Sequence, residues 1–306
     1  MYAVEQQQVE MKRSNTAASG AWHRPTDGES PKRASRKAVS YTVTGSLVVP
    51  VLIVFVCPVF AMVFMRVILV HDGDVGRVAD EIQKEGLFAM IKASVWPYVL
   101  GSRAAWGFIL PFAAFQLLLM RIVPGKMTEG PVTPAGNIPV YKANGLLSFF
   151  VTLIAFYIGA FVLNLFNPAD VYDHFIEIIG TLNLFSLMFC LILCLKGTFV
   201  PSSTDSGASG NIIFDYYWGT ELYPRILGWD VKMFTNCRFG LMSWAVLLLC
   251  YATKQHQLGE LSSSMVVSVG LQLIYIAKFF HWEMGYMKSL DIMHDRAGFM
   301  LVSGKA

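Results

Sequence analysis

The chain has 306 residues, 55% of them hydrophobic and only 15% charged, with a mean hydropathy of +0.50. Soluble domains carry roughly 25% charged residues, so this chain has too few charges to clothe a water-facing surface. Disorder, a collagen repeat and a disulfide-stapled secreted module are excluded by the same figures, which leaves a membrane protein. The formal charge of +3 lies wholly in residues 1–41, which hold seven basic and four acidic side chains, so the remainder is balanced.

Residues 1–41 are rich in Gln, Ser, Lys and Arg, lack periodicity and read as a disordered basic cytosolic tail. Such a tail is either a polybasic segment drawn to anionic lipid or, the reading favoured here, a flank that fixes the orientation of the first span. It begins polar, so no signal peptide is expected and the first span would direct insertion. Residues 42–306 read as all-α, a polytopic transmembrane helical bundle of about six spans. A bilayer core of about 30 Å needs about 20 apolar residues per crossing.

The first span is expected at about Val43–Val70, interrupted by Pro50 and Pro58, and the second at Ala104–Met120. The third, Gly145–Phe166, is the cleanest, and the fourth, Phe175–Leu195, carries Glu177 and Asn183 within it. The fifth, Phe239–Ala252, is short for a crossing and must borrow flanking residues; the sixth is Ser264–Phe280. Short loops rich in Lys and Arg stay cytosolic. That rule puts 121–144 and 196–238 with the tail, and 167–174 and 253–263 on the far side with Lys254 as their one Lys or Arg. The first loop runs against the rule, because Arg77, Lys84, Lys92 and Arg103 then lie on the far side. The five cysteines have no zinc spacing and no implied disulfide framework, so no metal is expected.

Nucleotide-binding glycine motifs, a phosphate loop, HExxH and GxSxG are all missing from the sequence. Polar residues at membrane depth are therefore the place to look for function. Pro201–Gly219 reads PSSTDSGASGNIIFDYYWG, and two further polar clusters follow at Thr220–Arg225 and Asn236–Gly240. Three clusters in one cytosolic loop read as a structured re-entrant or interfacial cap. The aromatics Phe214, Tyr216, Tyr217, Trp218, Tyr223 and Trp229 suit a belt at the headgroups equally well.

The strongest constellation is His281–Phe299, HWEMGYMKSLDIMHDRAGF. On one continuous helix at about 100° per residue, Tyr286, Asp291 and His294 fall at about −60°, 80° and 20° from Glu283. Four ionisable groups then share one arc directly after an apolar span. The arc is either a solvated amphipathic helix or a proton-donating site at the mouth of a lipid-lined cavity, where desolvation raises a carboxyl pKa.

The segments GPVTPAGN (130–137), YKANGL (141–146), 201–226, DVKMFTNCRFGLMSW (230–244) and 278–299 together resemble the sterol reductases of the endoplasmic reticulum. That group includes Δ14-sterol reductase, the lamin B receptor and Δ7-sterol reductase. Arg238-Phe239-Gly240 and Glu221-Leu222-Tyr223-Pro224-Arg225 resemble the Δ7 branch in its plant and algal form. The resemblance implies NADPH-dependent reduction of the C7–C8 double bond of a 5,7-diene sterol by protonation and hydride transfer, in a multi-pass protein of the endoplasmic reticulum membrane. It implies Glu283, Tyr286, Asp291 and His294 as the acid and its network, and Asn144, Tyr217, Trp218, Glu221, Arg225, Asn236 and Arg238 as substrate contacts. Its implied partners are a sterol drawn from the bilayer, membrane lipid and other sterol-biosynthesis enzymes, with no nucleic acid. Members of the group continue past the HDRAGF motif with the part that binds nucleotide, so cofactor-binding residues are not expected in this chain, which reads as C-terminally truncated. A non-catalytic sterol-binding or scaffold protein and a Δ14-sterol reductase are the alternatives. A transporter is disfavoured, because no inverted repeat is visible.

Overall fold

Val49 opens a helix that runs unbroken through Pro58 to Leu69 (α1), in a computed structural model that describes residues 47–303. The basic tail expected at 1–41 lies outside the described residues. The sequence reading had α1 interrupted at both prolines. Pro50 instead sits in the first turn, where its missing N–H costs nothing, and Asn183 Nδ2 donates to the Pro58 carbonyl at 3.4 Å.

Two short helices follow, α2 (Val75–Glu85) and α3 (Leu87–Val95), before the second span α4 (Arg103–Ile122). Ser102 caps α4 by accepting from Ala105 N at 3.0 Å, which answers one of the unpaired donors of a helix start. A hairpin of β1 (Lys126–Glu129) and β2 (Val140–Ala143) leads into α5 (Gly145–Tyr157), which continues as a π-turn to Val162. α6 (Pro168–Asp173) precedes the fourth span α7 (Phe175–Phe199). The polar stretch beyond it contains α8 (Ile212–Trp218) and a two-residue hairpin, β3 (Arg225–Ile226) and β4 (Trp229–Asp230). Leu227 and Gly228 at its tip have φ of 50° and 87°, the left-handed pair that a tight hairpin turn requires.

The fifth span borrows residues on both sides. A π-helical segment, Met233–Leu241, runs directly into α9 (Met242–Leu258), giving 26 residues in place of the fourteen expected from apolarity. The cluster Asn236–Gly240, read from sequence as loop, is thus the polar beginning of a membrane helix. α10 (Ser263–His281) is the sixth span. The single helix expected over 283–299 is not formed. The chain breaks into α11 (Glu283–Tyr286), α12 (Leu290–His294) and α13 (Phe299–Ser303), so the arc of four ionisable groups does not exist.

Among the described residues six helices are long and apolar enough to cross a bilayer, and two short antiparallel hairpins are the named sheet; the molecule is an all-α polytopic membrane protein. The spans are unequally enclosed: 11% of the apolar window of α1 is buried, against 44% in the fifth span. One core packs the fifth span with α5, α10 and β2 and contains Phe149, Tyr223, Met242, Ile276 and Phe280. A second joins α1, α7 and α8 to α13 through Cys190, Tyr217, Phe299 and Leu301.

α13 is locked there by backbone contact. A Cβ on Gly298 would stand 2.3 Å from Gly219 N, 2.4 Å from Trp218 C and 2.5 Å from Tyr217 O. Peptide groups cannot rotate away as a side-chain tip can, so Gly298→Ala is expected to destabilise the fold by about 1–3 kcal/mol. Gly285→Ala, whose added methyl meets nothing within 4 Å, should leave the thermal midpoint of the detergent-solubilised protein unchanged. Equal midpoints for both variants would contradict this packing.

Candidate functional site

The π-helical start of the fifth span is positioned by Asp230, whose Oδ1 accepts from Met233 N at 2.9 Å. Its wider turn carries Asn236, Cys237 and Arg238 into the interior. Arg238 is 0% exposed, and a guanidinium stripped of water is stable only when paired and hydrogen-bonded. The partner arrives from the end of the sixth span. There the backbone bends at Trp282 and turns Glu283 inward, 2% exposed.

Arg238 Nη1 donates to Glu283 Oε1, and Nη2 donates to Glu283 Oε2 at 3.0 Å, a bidentate fork. Nη2 also donates to Asn144 Oδ1 at 2.8 Å. The other end of that amide, Asn144 Nδ2, donates to the carbonyls of Leu119, Met120 and Val123 at 3.3, 3.3 and 3.0 Å. These carbonyls lie in the last turn of α4 and at its cap, Val123, and Leu119 O also accepts from Val123 N at 3.0 Å. Glu283 Oε2 accepts from Gly145 N at 3.2 Å, so the carboxylate lies at the positive end of α5. Gly145 is required, since a Cβ there would lie 2.5 Å from Glu283 Oε2 and 2.7 Å from Arg238 Nη1. One network therefore joins the ends of spans two, three, five and six. Burial raises the Glu283 carboxyl above the ordinary glutamate range, while Arg238 and the Gly145 N–H pull it back.

Beside this network lies a cleft of about 270 Å³, lined by Asn144, Gly145, Leu147, Phe280, Glu283 and Met284. Pockets for small molecules start at about 300 Å³, so the cleft has room for one end of a flat ligand and not for the whole of it. Phe280 closes over Arg238, with the guanidinium carbon 5.7 Å from its ring centre.

The residues singled out from sequence fall into separate places. Asn144, Arg238 and Glu283 meet directly. Asn236 is buried on the same π-helical segment, and neither polar atom of its amide has a hydrogen-bond partner among the described residues. Tyr286 is half-buried with its ring 5.3 Å from that of Phe279, and burial pushes its hydroxyl above the ordinary tyrosine range. Asp291 and His294 are exposed on α12 and do not join it.

Glu221 and Arg225 serve the loop instead. Glu221 accepts from Ser202 N and from Lys196 Nζ at 2.8 Å, and Arg225 Nη2 donates to Val140 O at 2.7 Å. Tyr217 belongs to the core under α13, and Trp218 stacks on Phe214 with centroids 6.2 Å apart. Sequence reasoning missed Gly145, Lys196 and Lys232. Lys232 is fully buried, donates to the carbonyls of Ile292 and Asp295 and faces the Tyr223 ring at 4.8 Å. Its signal was a lysine between Val231 and Met233 at the threshold of a span. Lys196, Arg225, Lys232, Arg238 and Arg296 all donate to protein oxygen atoms. No group of three or more potential metal ligands occurs among the described residues.

Residues 36–306 match the ergosterol biosynthesis ERG4/ERG24 family. The chain is 48% identical to a 7-dehydrocholesterol reductase of Arabidopsis thaliana over 250 residues, which cover 81% of this chain and 57% of that protein. It is 34% identical to a 7-dehydrocholesterol reductase of Xenopus laevis, over 63% of this chain and 44% of the relative. It is 27% identical to a Delta(14)-sterol reductase of Dictyostelium discoideum, over 85% and 56%. The chain thus spans about half the length of the curated relatives it matches.

Removing one partner of a buried ion pair strands the other charge. Arg238→Met is expected to cost about 3–5 kcal/mol, and Arg238→Met with Glu283→Met together should recover most of that loss. Thermal midpoints of the two single variants and the double variant measure this coupling. A double variant as unstable as the two losses added would show that the charges do not act as a unit.

Proposed function

Because this chain belongs to the ergosterol biosynthesis ERG4/ERG24 family, we propose that it serves the reduction of the C7–C8 double bond of 5,7-diene sterols in sterol biosynthesis. Identity of 48% to a protein named 7-dehydrocholesterol reductase, against 27% to one named Delta(14)-sterol reductase, supports Δ7 over Δ14 chemistry. The observation that carries the site assignment is the Asn144–Arg238–Glu283 network beside an apolar cleft at one end of the bundle.

A flat apolar sterol partitions from the bilayer and places one end in that cleft. Leu147, Phe280 and Met284 give the cleft apolar surface against which the sterol would pack. Glu283, forked to Arg238, is a positioning group, because its carboxylate has an opposite charge to hold and little freedom to give up a proton. Tyr286 is the proton donor. Burial pushes its hydroxyl above the ordinary tyrosine range, so it carries its proton throughout the neutral range. Asn236, buried on the same segment as Arg238, keeps an unused donor and acceptor. NADPH is the proposed hydride source, and the roles given are those of this chain's own side chains.

The protein is placed in the endoplasmic reticulum membrane with its N-terminus cytosolic. The end bearing the network is then cytosolic too, which suits the Lys and Arg of loops 121–144 and 196–232. Other sterol-biosynthesis enzymes are its proposed neighbours. A second reading is sterol binding without turnover, which the cleft beside the network allows by itself.

Membranes containing the chain, supplied with 7-dehydrocholesterol and NADPH, are expected to form cholesterol. Tyr286→Phe should reduce turnover at least about a hundredfold, the lower range for losing a general acid, while labelling by a sterol photoprobe persists. Labelling without product in the unaltered chain would establish the binding-only reading. A Tyr286→Phe variant with full activity would remove Tyr286 as donor.

A further inference from the structure

Residues 71–102, between the first two spans, are the part of the molecule that the sterol reading leaves unexplained. α2 is polar and amphipathic, and Asp74 caps its start by accepting from Gly76 N at 2.8 Å. It is held to the end of α1 by Arg66 Nη2 donating to Glu81 Oε1 at 2.8 Å, with His71 on the other carboxyl oxygen. Gly86, at φ 90°, then reverses the chain into α3, whose character is opposite.

α3 with its 3-10 extension Trp96–Tyr98 makes twelve residues, about 20 Å of helix, too short to cross a bilayer and in the range of interfacial or re-entrant segments. Its inner side, Met90 and Ser94, packs on α1. Its outer side is apolar and open: Phe88 is 81% exposed, Trp96 70% and Leu100 80%. Lys92 stands in the same row.

The depth of this element follows from its contacts. A Cβ on Gly180 would lie 2.6 Å from Tyr98 Cβ and 3.3 Å from Met62 Cε, so both side chains converge on that glycine. Gly180 is about one and a half turns inside α7, and Met62 about two turns inside α1. At 1.5 Å per residue these positions are about 8 and 10 Å from the respective helix ends. α1 is about 32 Å long and matches the hydrocarbon core. Tyr98 is therefore below the surface of the leaflet, and the stacked pair Phe60 and Phe64 of α1 is exposed as the outer side of α3 is.

We propose that Leu87–Leu100 is a re-entrant element whose outer face, Phe88, Trp96 and Leu100 around Lys92, is embedded in the lipid of one leaflet. Trp96 sits at the interfacial depth that suits its ring, and Lys92 extends its ammonium along the apolar face to the headgroups. The departure of this loop from the charge rule for far-side loops is then explained in part. Lys92 is a lipid-facing anchor, and Arg77 is neutralised by Asp72 and Asp74 at 2.9 and 3.5 Å.

Nitroxide labels on Phe88→Cys, Trp96→Cys and Leu100→Cys, in a Cys57→Ser background, test this in phosphatidylcholine vesicles by power saturation. Collisions with oxygen should exceed those with a water-soluble nickel chelate several-fold at all three sites, and the order should reverse at Lys84→Cys on α2. Quenching of native fluorescence by brominated lipid should fall in Trp96→Phe, a change mild enough to keep the fold. Nickel-dominated collisions at 88 and 96, or spin–spin broadening that places a second copy or another protein on this face, would overturn the proposal.

Discussion

The ion pair between Arg238 and Glu283 is the constraint around which the rest is arranged. Two charges removed from water gain nothing unless every remaining donor and acceptor is met. The surroundings meet most of them, with Asn144 on one guanidinium nitrogen, the Gly145 N–H on one carboxylate oxygen and Phe280 over the flat face. Each of these requirements fixes something larger. Gly145 must lack a side chain, Asn144 must reach three carbonyls of α4, and the fifth span must begin in a π-helix to aim Arg238 inward. Four spans are thereby brought to one level at one end of the bundle, beside the cleft assigned to substrate.

The loops at the same end follow similar logic at lower cost, since water lies nearby. Asp205 accepts from Ala135 N and Asn137 Nδ2, tying the 201–206 strip to the turn between β1 and β2. Glu221, Lys196 and Ser202 close a second staple, and Arg296 donates to the carbonyls of Gly207 and Thr220. These polar residues are dense in sequence because they replace a hydrophobic core where the chain leaves the lipid. Density of Ser, Thr and Asp thus marked a folded cap, and much of it is structural. A structural role also explains why Glu221 and Arg225, which look like ligand contacts in sequence, are engaged with backbone.

The six spans were legible because lipid imposes a length and an apolarity that composition reveals directly. The fifth misled because its first third is polar. Hydropathy counts side chains without regard to which way they face, and Asn236, Cys237 and Arg238 face protein. The helix assumed across 283–299 misled for a related reason. Periodicity treats a segment as straight, whereas Trp282 bends the chain to bury Glu283, and Gly298 must stop against the backbone of Trp218 and Gly219. Asn144, Arg238 and Glu283 were each visible as polar residues near apolar spans, but their meeting was not, because they lie 94, 139 and 45 positions apart in pairs.

The sequence by itself determined that this is a multi-pass helical membrane protein with its excess charge at one terminus, and its motifs pointed to the sterol reductase family. Those properties depend on composition and local pattern, which a bilayer selects residue by residue. Only the tertiary structure decided which polar residues form a site and which staple loops. It also decided that Asp291 and His294 stay at the surface while Glu283 does not. These outcomes depend on which groups can satisfy one another once water is excluded, a property of pairs brought together by the fold and not of any single position.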